Sequence, residues 1–163
     1  GGRIDHGHHA GNAYRALTDT VAFADAVSEA IRLTSPSETL ILVTADHSHT
    51  LTISGYPKRG NPILGKATDT NGEWLTDSEG KPYTTLSYSN GPGYLAERPD
   101  LTEVDTEAMD YRQVAALPMI SETHAGEDVT AYALGVNAQA LHGVMEQNEL
   151  YAIMYAALFG QEY

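Results

Sequence analysis

An α/β fold with a central, largely parallel sheet flanked by helices is the fold class that this sequence predicts. Three observations support it. Apolar residues recur at three- to four-residue spacing after the His-rich opening, as on one face of an amphipathic helix. A continuous apolar run over 39–44 follows, which is typical of a parallel strand covered on both faces. The segment 119–163 again shows a strand and then a helix, so helices are expected to layer on a sheet.

Taken in order, the elements of the core are one helix and one strand on each side of a long insertion. The apolar face of the first helix consists of Leu17, Val21, Ala24, Val27 and Ile31. The Ser35-Pro36-Ser37 stretch ends this helix, and the strand over 39–44 follows. A second strand is predicted over 129–134. The face of the closing helix consists of Leu150, Ile153, Met154, Ala157 and Leu158.

The middle segment, 56–118, differs in character from its flanks. It is rich in Gly, Pro, Asn and Tyr and contains turn dipeptides such as Asn71-Gly72 and Gly91-Pro92. Short candidate strands lie around 83–88. A structureless loop of about sixty residues would be unusual in a compact domain. We therefore predict an irregular, β-containing insertion at 56–118 within a core formed by 1–55 and 119–163.

The charge balance excludes two classes of partner. The chain has 22 acidic and 9 basic residues, for a formal net charge of −13, and its lysines are Lys58, Lys66 and Lys81. No basic stripe is available to neutralise nucleic-acid phosphates or to dock on an anionic membrane. No run approaches the roughly 18 apolar residues of a membrane span. The acidic surface is either an ordinary solvated shell or an adaptation to high salt, where ions screen self-repulsion.

Three segments carry side chains that bind divalent metals, and the absence of Cys leaves His and carboxylates as the ligands. Asp5 and His9 are four residues apart, so on a helix they project from one face. Asp46 and His47 directly follow the predicted strand, where open α/β sheets bind ligands. His124 lies among acidic residues before a strand. Taken singly, the alternatives are a surface His cluster, a helix cap beside a surface His, and a turn His.

Together, these motifs resemble the alkaline phosphatases. The resemblance is carried by GGRIDHGHH at 1–9, TADHSH at 44–49 and ETHAGEDV at 122–129, in that order. SNGPGY at 89–94 and HGVMEQ at 142–147 are also similar to family segments. The insertion that begins at Gly55-Tyr56 resembles the crown domain of the larger members, so the resemblance covers essentially the whole chain.

The resemblance implies a site of two zinc ions and one magnesium ion. Asp5, His9 and His124 match the ligands of the first zinc, and Asp46 and His47 match two ligands of the second. A further Asp ligand, the nucleophilic Ser and an Arg that clamps phosphate are expected upstream. The Glu of the magnesium site would immediately precede Gly1.

Other polar residues near these motifs are given lesser roles. From its position, His6 is expected to donate a hydrogen bond to phosphate or to an ordered water. Thr123, Glu127 and Asp128 are expected to orient His124 or to satisfy backbone groups. His8, His49 and His142 are assigned to structure, and Ser48 is a weak alternative nucleophile.

The implied function is hydrolysis of phosphate monoesters, by phosphoryl transfer to the upstream Ser and then to water. The chain is expected to be the C-terminal portion of such an enzyme, inactive alone and partnered by the missing N-terminal portion. The resemblance also implies a homodimer that is periplasmic or secreted. The alternatives are a catalytically inactive metal-binding fragment and a relative that acts on phosphodiesters or sulfates.

Overall fold

A computed structural model describes residues 1–160, so the last three residues of the predicted core segment 119–163 lie outside the described residues. Within residues 1–160 there are three α-helices: α1 (Gly2–His9), α2 (Ala13–Leu33) and α3 (Glu149–Phe159). A short 3-10 helix spans Ala138–Ala140. None of the helices within 1–160 is long and apolar enough to cross a bilayer.

The strands are short and belong to small sheets. They are β1 (Leu40–Val43), β2 (Ser48–His49), β3 (Leu51–Ile53), β4 (Leu86–Gly91), β5 (Ala115–Pro118), β6 (His124–Ala125) and β7 (Tyr132–Gly135). The order β3-β4-β5 forms a three-stranded sheet, in which β4 is antiparallel to β3 and parallel to β5. The mixture of helices and sheets confirms the α/β class.

The residues group into two compact units. Unit 1 comprises 1–22 and 49–126, and unit 2 comprises 23–48 and 127–160 of the described chain. The core of unit 1 lies around β4, where Leu86 and Tyr88 are buried together with Leu101 and Ala115. Among the described residues of unit 2, the large side chain that is fully buried is Ile153 of α3.

Two side-chain oxygens accept backbone N–H groups at the start of helix α2. The side-chain oxygen of Asn12 accepts the backbone N–H of Arg15 at 2.9 Å, as an N-cap residue does. The buried amide oxygen of Gln113 accepts the N–H of Ala13 at 2.6 Å. The helix ends at Leu33, before Ser35-Pro36, as predicted. On the predicted apolar face of α2, the side chains of Val21, Ala24 and Ile31 are exposed.

Strand β1 is confirmed, but its environment differs from the expectation. It pairs with β7 in antiparallel register, with Leu40 opposite Gly135 and Val43 opposite Tyr132. All four of its residues are only half-buried. Among residues 1–160, β7 is the one strand paired with β1, so the predicted parallel pairing is not found there. The half-buried side chains show that β1 is also not fully covered on both faces.

The helix α3 is also confirmed, with a shifted buried face. Ile153 and Ala156 are buried, whereas Met154 is 45% and Leu158 is 76% exposed. Residues three apart on a helix share a face, so the inward stripe runs through Ile153 and Ala156.

The segment 56–118 contains β4, β5 and several isolated bridges, among them Thr68 with Trp74 and Thr76 with Pro82. Two turns connect these bridged pairs. The carboxylates of Asp69 and Asp77 each accept two backbone N–H groups within their own turn. Such side-chain-to-backbone bonds replace the ladder bonds that a longer strand would supply. The predicted candidate strands around 83–88 overlap the start of β4.

Candidate metal centre

Helix α1 and strand β6 position three of the candidate ligands within unit 1. Asp5 and His9 lie one turn apart on α1, so their side chains project on one side of the helix. His124 is the first residue of β6 and is 115 positions from His9 along the chain. All three sequence-predicted ligands of the first zinc meet at one place.

The ligand atoms of these three residues form a nearly equilateral triangle. Oδ1 of Asp5 lies 3.3 Å from Nε2 of His9 and 3.5 Å from Nε2 of His124. The two Nε2 atoms are 3.2 Å apart. Two ligands bound to a tetrahedral zinc ion at about 2.0–2.2 Å are about 3.3–3.6 Å apart. The triangle therefore has the size of one face of a zinc tetrahedron.

The orientation of the His9 ring is fixed by a backbone carbonyl group in the segment that precedes β6. Its Nδ1 lies 2.5 Å from the carbonyl oxygen of Glu122. A carbonyl oxygen only accepts, so Nδ1 carries the hydrogen and donates it. In the neutral ring, Nε2 is then the lone-pair nitrogen, and it faces Asp5 and His124. This is the arrangement in which metal-binding histidines are usually held.

His49 lies beside the candidate ligands, a placement that the sequence analysis does not predict. The sequence analysis assigns His49 to structure. Its Nε2 lies 3.1 Å from Oδ1 of Asp5, and its Nδ1 lies 2.8 Å from Oε2 of Glu122. Its side chain is 7% exposed. On an extended strand, residues two apart share a face. The spacing of His47 and His49 was the signal that could have drawn attention to it.

His8 packs beneath this cluster as a neutral ring. Its imidazole stacks on that of His49, with ring centroids 4.5 Å apart, and its Nδ1 lies 2.8 Å from the hydroxyl of Tyr88. Burial, followed by the proximity of His49, lowers the pKa of His8 to about 4. Burial also raises the pKa of Tyr88 above its usual range. The assignment of His8 to structure agrees with these contacts.

The second predicted pair, Asp46 and His47, lies in unit 2 after β1. Oδ2 of Asp46 is 3.6 Å from Nε2 of His47, and the Asp46 side chain is 89% exposed. Ser48 donates its hydroxyl to a carboxylate oxygen of Glu127, and this bond lowers the pKa of Glu127. The sequence analysis expects Glu127 to orient His124 or to satisfy backbone groups, and the side-chain partner that the structure gives it is Ser48.

An open cleft of about 690 Å³ lies beside this pair in unit 2. Its lining includes Asp46, His47, Glu127, Asp128, Glu146 and Glu149. Five carboxylates in one cleft produce a negative field, which repels anions unless cations neutralise it.

The remaining predicted residues are placed as follows. His6 lies on the exposed side of α1. Thr123 satisfies polar groups of Asn90, because its N–H donates to the Asn90 amide oxygen and its hydroxyl oxygen accepts from the amide nitrogen. His142 lines the cleft of unit 2.

The donor set fits zinc. One carboxylate oxygen and two imidazole nitrogens are ligands that zinc takes, and three protein ligands leave a position for a further ligand, as in catalytic sites. By contrast, the 2.8 Å separation of His49 Nδ1 and Glu122 Oε2 is that of a hydrogen bond rather than of two ligands on one ion.

Comparison with known proteins agrees with the motifs. The family model described as alkaline phosphatase matches residues 1–159. The tissue-nonspecific isozyme of alkaline phosphatase from Gallus gallus is 49% identical over 98% of this chain, and the alignment covers 31% of that protein. An alkaline phosphatase from Gadus morhua is 46% identical over 99% of this chain, covering 34% of its length. The Homo sapiens tissue-nonspecific isozyme is 46% identical over 98% of this chain and is covered over 30%. The chain thus spans about a third of the length of these relatives.

Proposed function

Because the chain belongs to the alkaline phosphatase family, we propose that it supplies most of the zinc ligands of a phosphate monoester hydrolase. The triangle formed by Asp5, His9 and His124 is the observation that carries this proposal. Its edges of 3.2–3.5 Å suit three ligands of one zinc ion better than three separate hydrogen bonds.

The first zinc would be held by Asp5, His9 and His124. The helical spacing of Asp5 and His9 fixes two ligands on one rigid element, so that only His124 has to be brought from a distant part of the chain. The donor bond from His9 to the Glu122 carbonyl keeps the metal-facing nitrogen of His9 in place.

The second zinc would be held in part by Asp46 and His47. The carboxylates of the acidic cleft beside them would repel a phosphate dianion. Binding of phosphate there therefore requires a cation, which supports the proposed metal. When bound, zinc supplies Lewis-acid stabilisation of the charge that develops on phosphoryl oxygens. The chain's own part is to fix the ligands, and the exposed His6 is proposed to donate a hydrogen bond to phosphate or to its ordered water.

The other parts of the reaction are proposed to lie on polypeptide beyond these 163 residues, in agreement with the share of the relatives that the chain spans. They are the third ligand of the second zinc, the Ser that accepts the phosphoryl group, the phosphate-clamping Arg and the Glu of a magnesium site. Ser48 is engaged with Glu127, which favours a Ser elsewhere as the nucleophile.

Exposed apolar side chains within each unit support this assignment. In unit 2, Tyr132 of β7 and Leu158 of α3 are 66% and 76% exposed, and in unit 1 Val21 is 62% and Ile120 fully exposed. A large contiguous apolar patch on a soluble protein usually marks a surface that contacts another protein surface. We propose that the N-terminal portion of the same protein covers them.

Zinc binding by the 163-residue chain tests the centre. The chain should compete for zinc against a chromophoric chelator, and His124→Ala should weaken the tight site about tenfold or more, because one of three ligands is lost. His142→Ala removes a histidine outside the proposed ligand set and should leave the tight site unchanged. Equal effects of the two variants would mean nonspecific binding by histidines and would refute the centre.

Hydrolysis of a chromogenic phosphate monoester at alkaline pH tests the division of labour. The chain alone should show no turnover at any zinc or magnesium level. Chelator-sensitive turnover by the verified chain would show that it carries its own nucleophile. In a longer protein that contains this chain, the monoester should be preferred over a diester or a sulfate ester, and the reverse preference would favour the phosphodiesterase or sulfatase alternative.

We also propose that the assembled enzyme is a homodimer and is periplasmic or secreted, as the family resemblance implies. The excess of acidic over basic residues and the scarcity of lysine support exposure to external salt. Sedimentation of the longer protein across salt concentrations would test the assembly.

A further inference from the structure

Glu122 is a buried carboxylate to which the sequence reasoning gave no role. Its side chain is 0% exposed. Burial of an ionised carboxylate is costly unless several donors satisfy it. The contacts of Glu122 show which donors satisfy its two carboxylate oxygens.

Every polar group hydrogen-bonded to this carboxylate can donate. Oε1 lies 2.6 Å from the backbone nitrogen and 2.8 Å from the hydroxyl of Thr50. Oε2 lies 2.8 Å from Nδ1 of His49. A carboxylate accepts at both oxygens, whereas a Gln side chain would present an NH₂ group to one of these donors.

The backbone of Glu122 binds the end of α1 in the same place. Its N–H donates to the carbonyl oxygen of His9 at 3.0 Å, and its carbonyl oxygen accepts from His9 Nδ1 at 2.5 Å. Glu122 is also two residues before His124. One residue therefore links the three segments of unit 1 that carry His9, His49 and His124.

We propose that Glu122 is a positioning residue of the metal centre, whose side chain holds the ring of His49 against Asp5. This inference rests on the proposed function, because it presumes that Asp5, His9 and His124 bind zinc. His49 lies between two carboxylates, with Nδ1 toward Glu122 and Nε2 toward Asp5. Thr50 brings two donors to Oε1, so in Glu122→Gln the amide oxygen is expected to face Thr50 and the NH₂ group to replace Oε2 beside His49. His49 Nδ1 then loses its acceptor, and the contact that restrains the Asp5 carboxylate is weakened.

The experiment measures zinc affinity and stability of the full 163-residue chain in parallel. Glu122→Gln keeps the size of the side chain and should weaken zinc binding about 10–100-fold, the usual effect of removing a group that orients a ligand. The absorption spectrum of the Co²⁺-loaded chain should also change, because the restraint on the Asp5 ligand is altered. Urea unfolding of the metal-free variants reports the purely structural loss.

Thr84→Val is the matched control for stability. Thr84 is buried in the same unit, and its hydroxyl donates to the carbonyl oxygen of Leu86 at 2.7 Å, without contact to a histidine. Thr84→Val should lower the urea midpoint and leave zinc affinity within about twofold of the unaltered chain. If Thr84→Val weakens zinc binding as much as Glu122→Gln at equal loss of stability, the effect is one of folding and the proposal is overturned.

The two proposals can fail separately. If the unaltered chain binds zinc and His124→Ala weakens the binding, but Glu122→Gln binds within about twofold of the unaltered chain, only the positioning role is wrong. If the unaltered chain binds no zinc, both the centre and the role of Glu122 are wrong.

Discussion

Substitution of Gly7 by Ala tests how tightly α1 packs against α2. A Cβ atom at Gly7 would lie 2.7 Å from the backbone nitrogen, 2.9 Å from Cα and 3.2 Å from Cβ of Ala16. Ala16 is 1% exposed, and its N–H donates to the carbonyl oxygen of Asn12 at 3.2 Å. The new methyl group would therefore meet backbone atoms that cannot rotate away.

The magnitude follows from two opposing effects. In a helix without neighbours, Gly→Ala stabilises by about 1 kcal/mol. Attractive carbon contacts lie at about 3.5–4.0 Å, so the two helices would have to separate by roughly 0.7 Å or more. Forcing extra atoms into a packed site costs about 1–3 kcal/mol. The clash offsets the gain in helix propensity, and we expect a net loss of up to about 2 kcal/mol in the free energy of unfolding.

Urea unfolding followed by circular dichroism measures this change, with Gly2→Ala as the matched control. Gly2 lies in the same helix, and a Cβ atom there would meet nothing within 4 Å. Gly2→Ala should therefore be neutral or slightly stabilising. Because α1 carries Asp5 and His9, the zinc affinity of Gly7→Ala should fall together with its stability. A Gly7→Ala chain as stable as the Gly2→Ala chain would refute the close packing of α1 on α2.

Three further predictions concern other parts of the fold. Gln113→Ala removes the acceptor of a backbone N–H at the start of α2, and urea unfolding should show a loss of about 1–3 kcal/mol from the unsatisfied donor. Leu86→Ala should lose about 2–5 kcal/mol by cavity formation, since Leu86 is 1% exposed, whereas Leu95→Ala, at a 55% exposed site, should change little. The backbone N–H of Lys81 contributes most to lowering the pKa of Asp77. The lowered pKa means that the folded state favours the ionised carboxylate. Its stabilisation is therefore complete above about pH 4 and is lost as the pH falls through the folded-state value. A carboxyl NMR titration measures the pKa of Asp77 in the folded chain, and a midpoint at or above 3.8 would contradict the predicted lowering.

Local elements were predictable because their signals lie within short stretches of chain. The spacing of apolar residues predicted α2 and α3, and the Ser35-Pro36 stretch predicted where α2 ends. The run over 39–44 predicted β1, but it could not reveal that β1 pairs in antiparallel orientation with β7. Pairing depends on which strand a distant segment supplies, and the apolar run carries no information about that partner.

The sequence by itself determined which residues are chemically able to form a zinc centre. Their order and spacing also indicated the alkaline phosphatase family, which the comparisons confirmed. The ligand residue types are local facts, as is the four-residue spacing of Asp5 and His9, which follows from helix geometry.

Only the tertiary structure decided how these residues meet. His9 and His124 are 115 positions apart, and no local pattern encodes the 3.2 Å between their Nε2 atoms. The same holds for Glu122 and His49, whose importance depends on burial and on donors that arrive from other segments. A side chain's chemistry is set by its type, whereas its partners and exposure are set by the packing of segments that are distant in the chain.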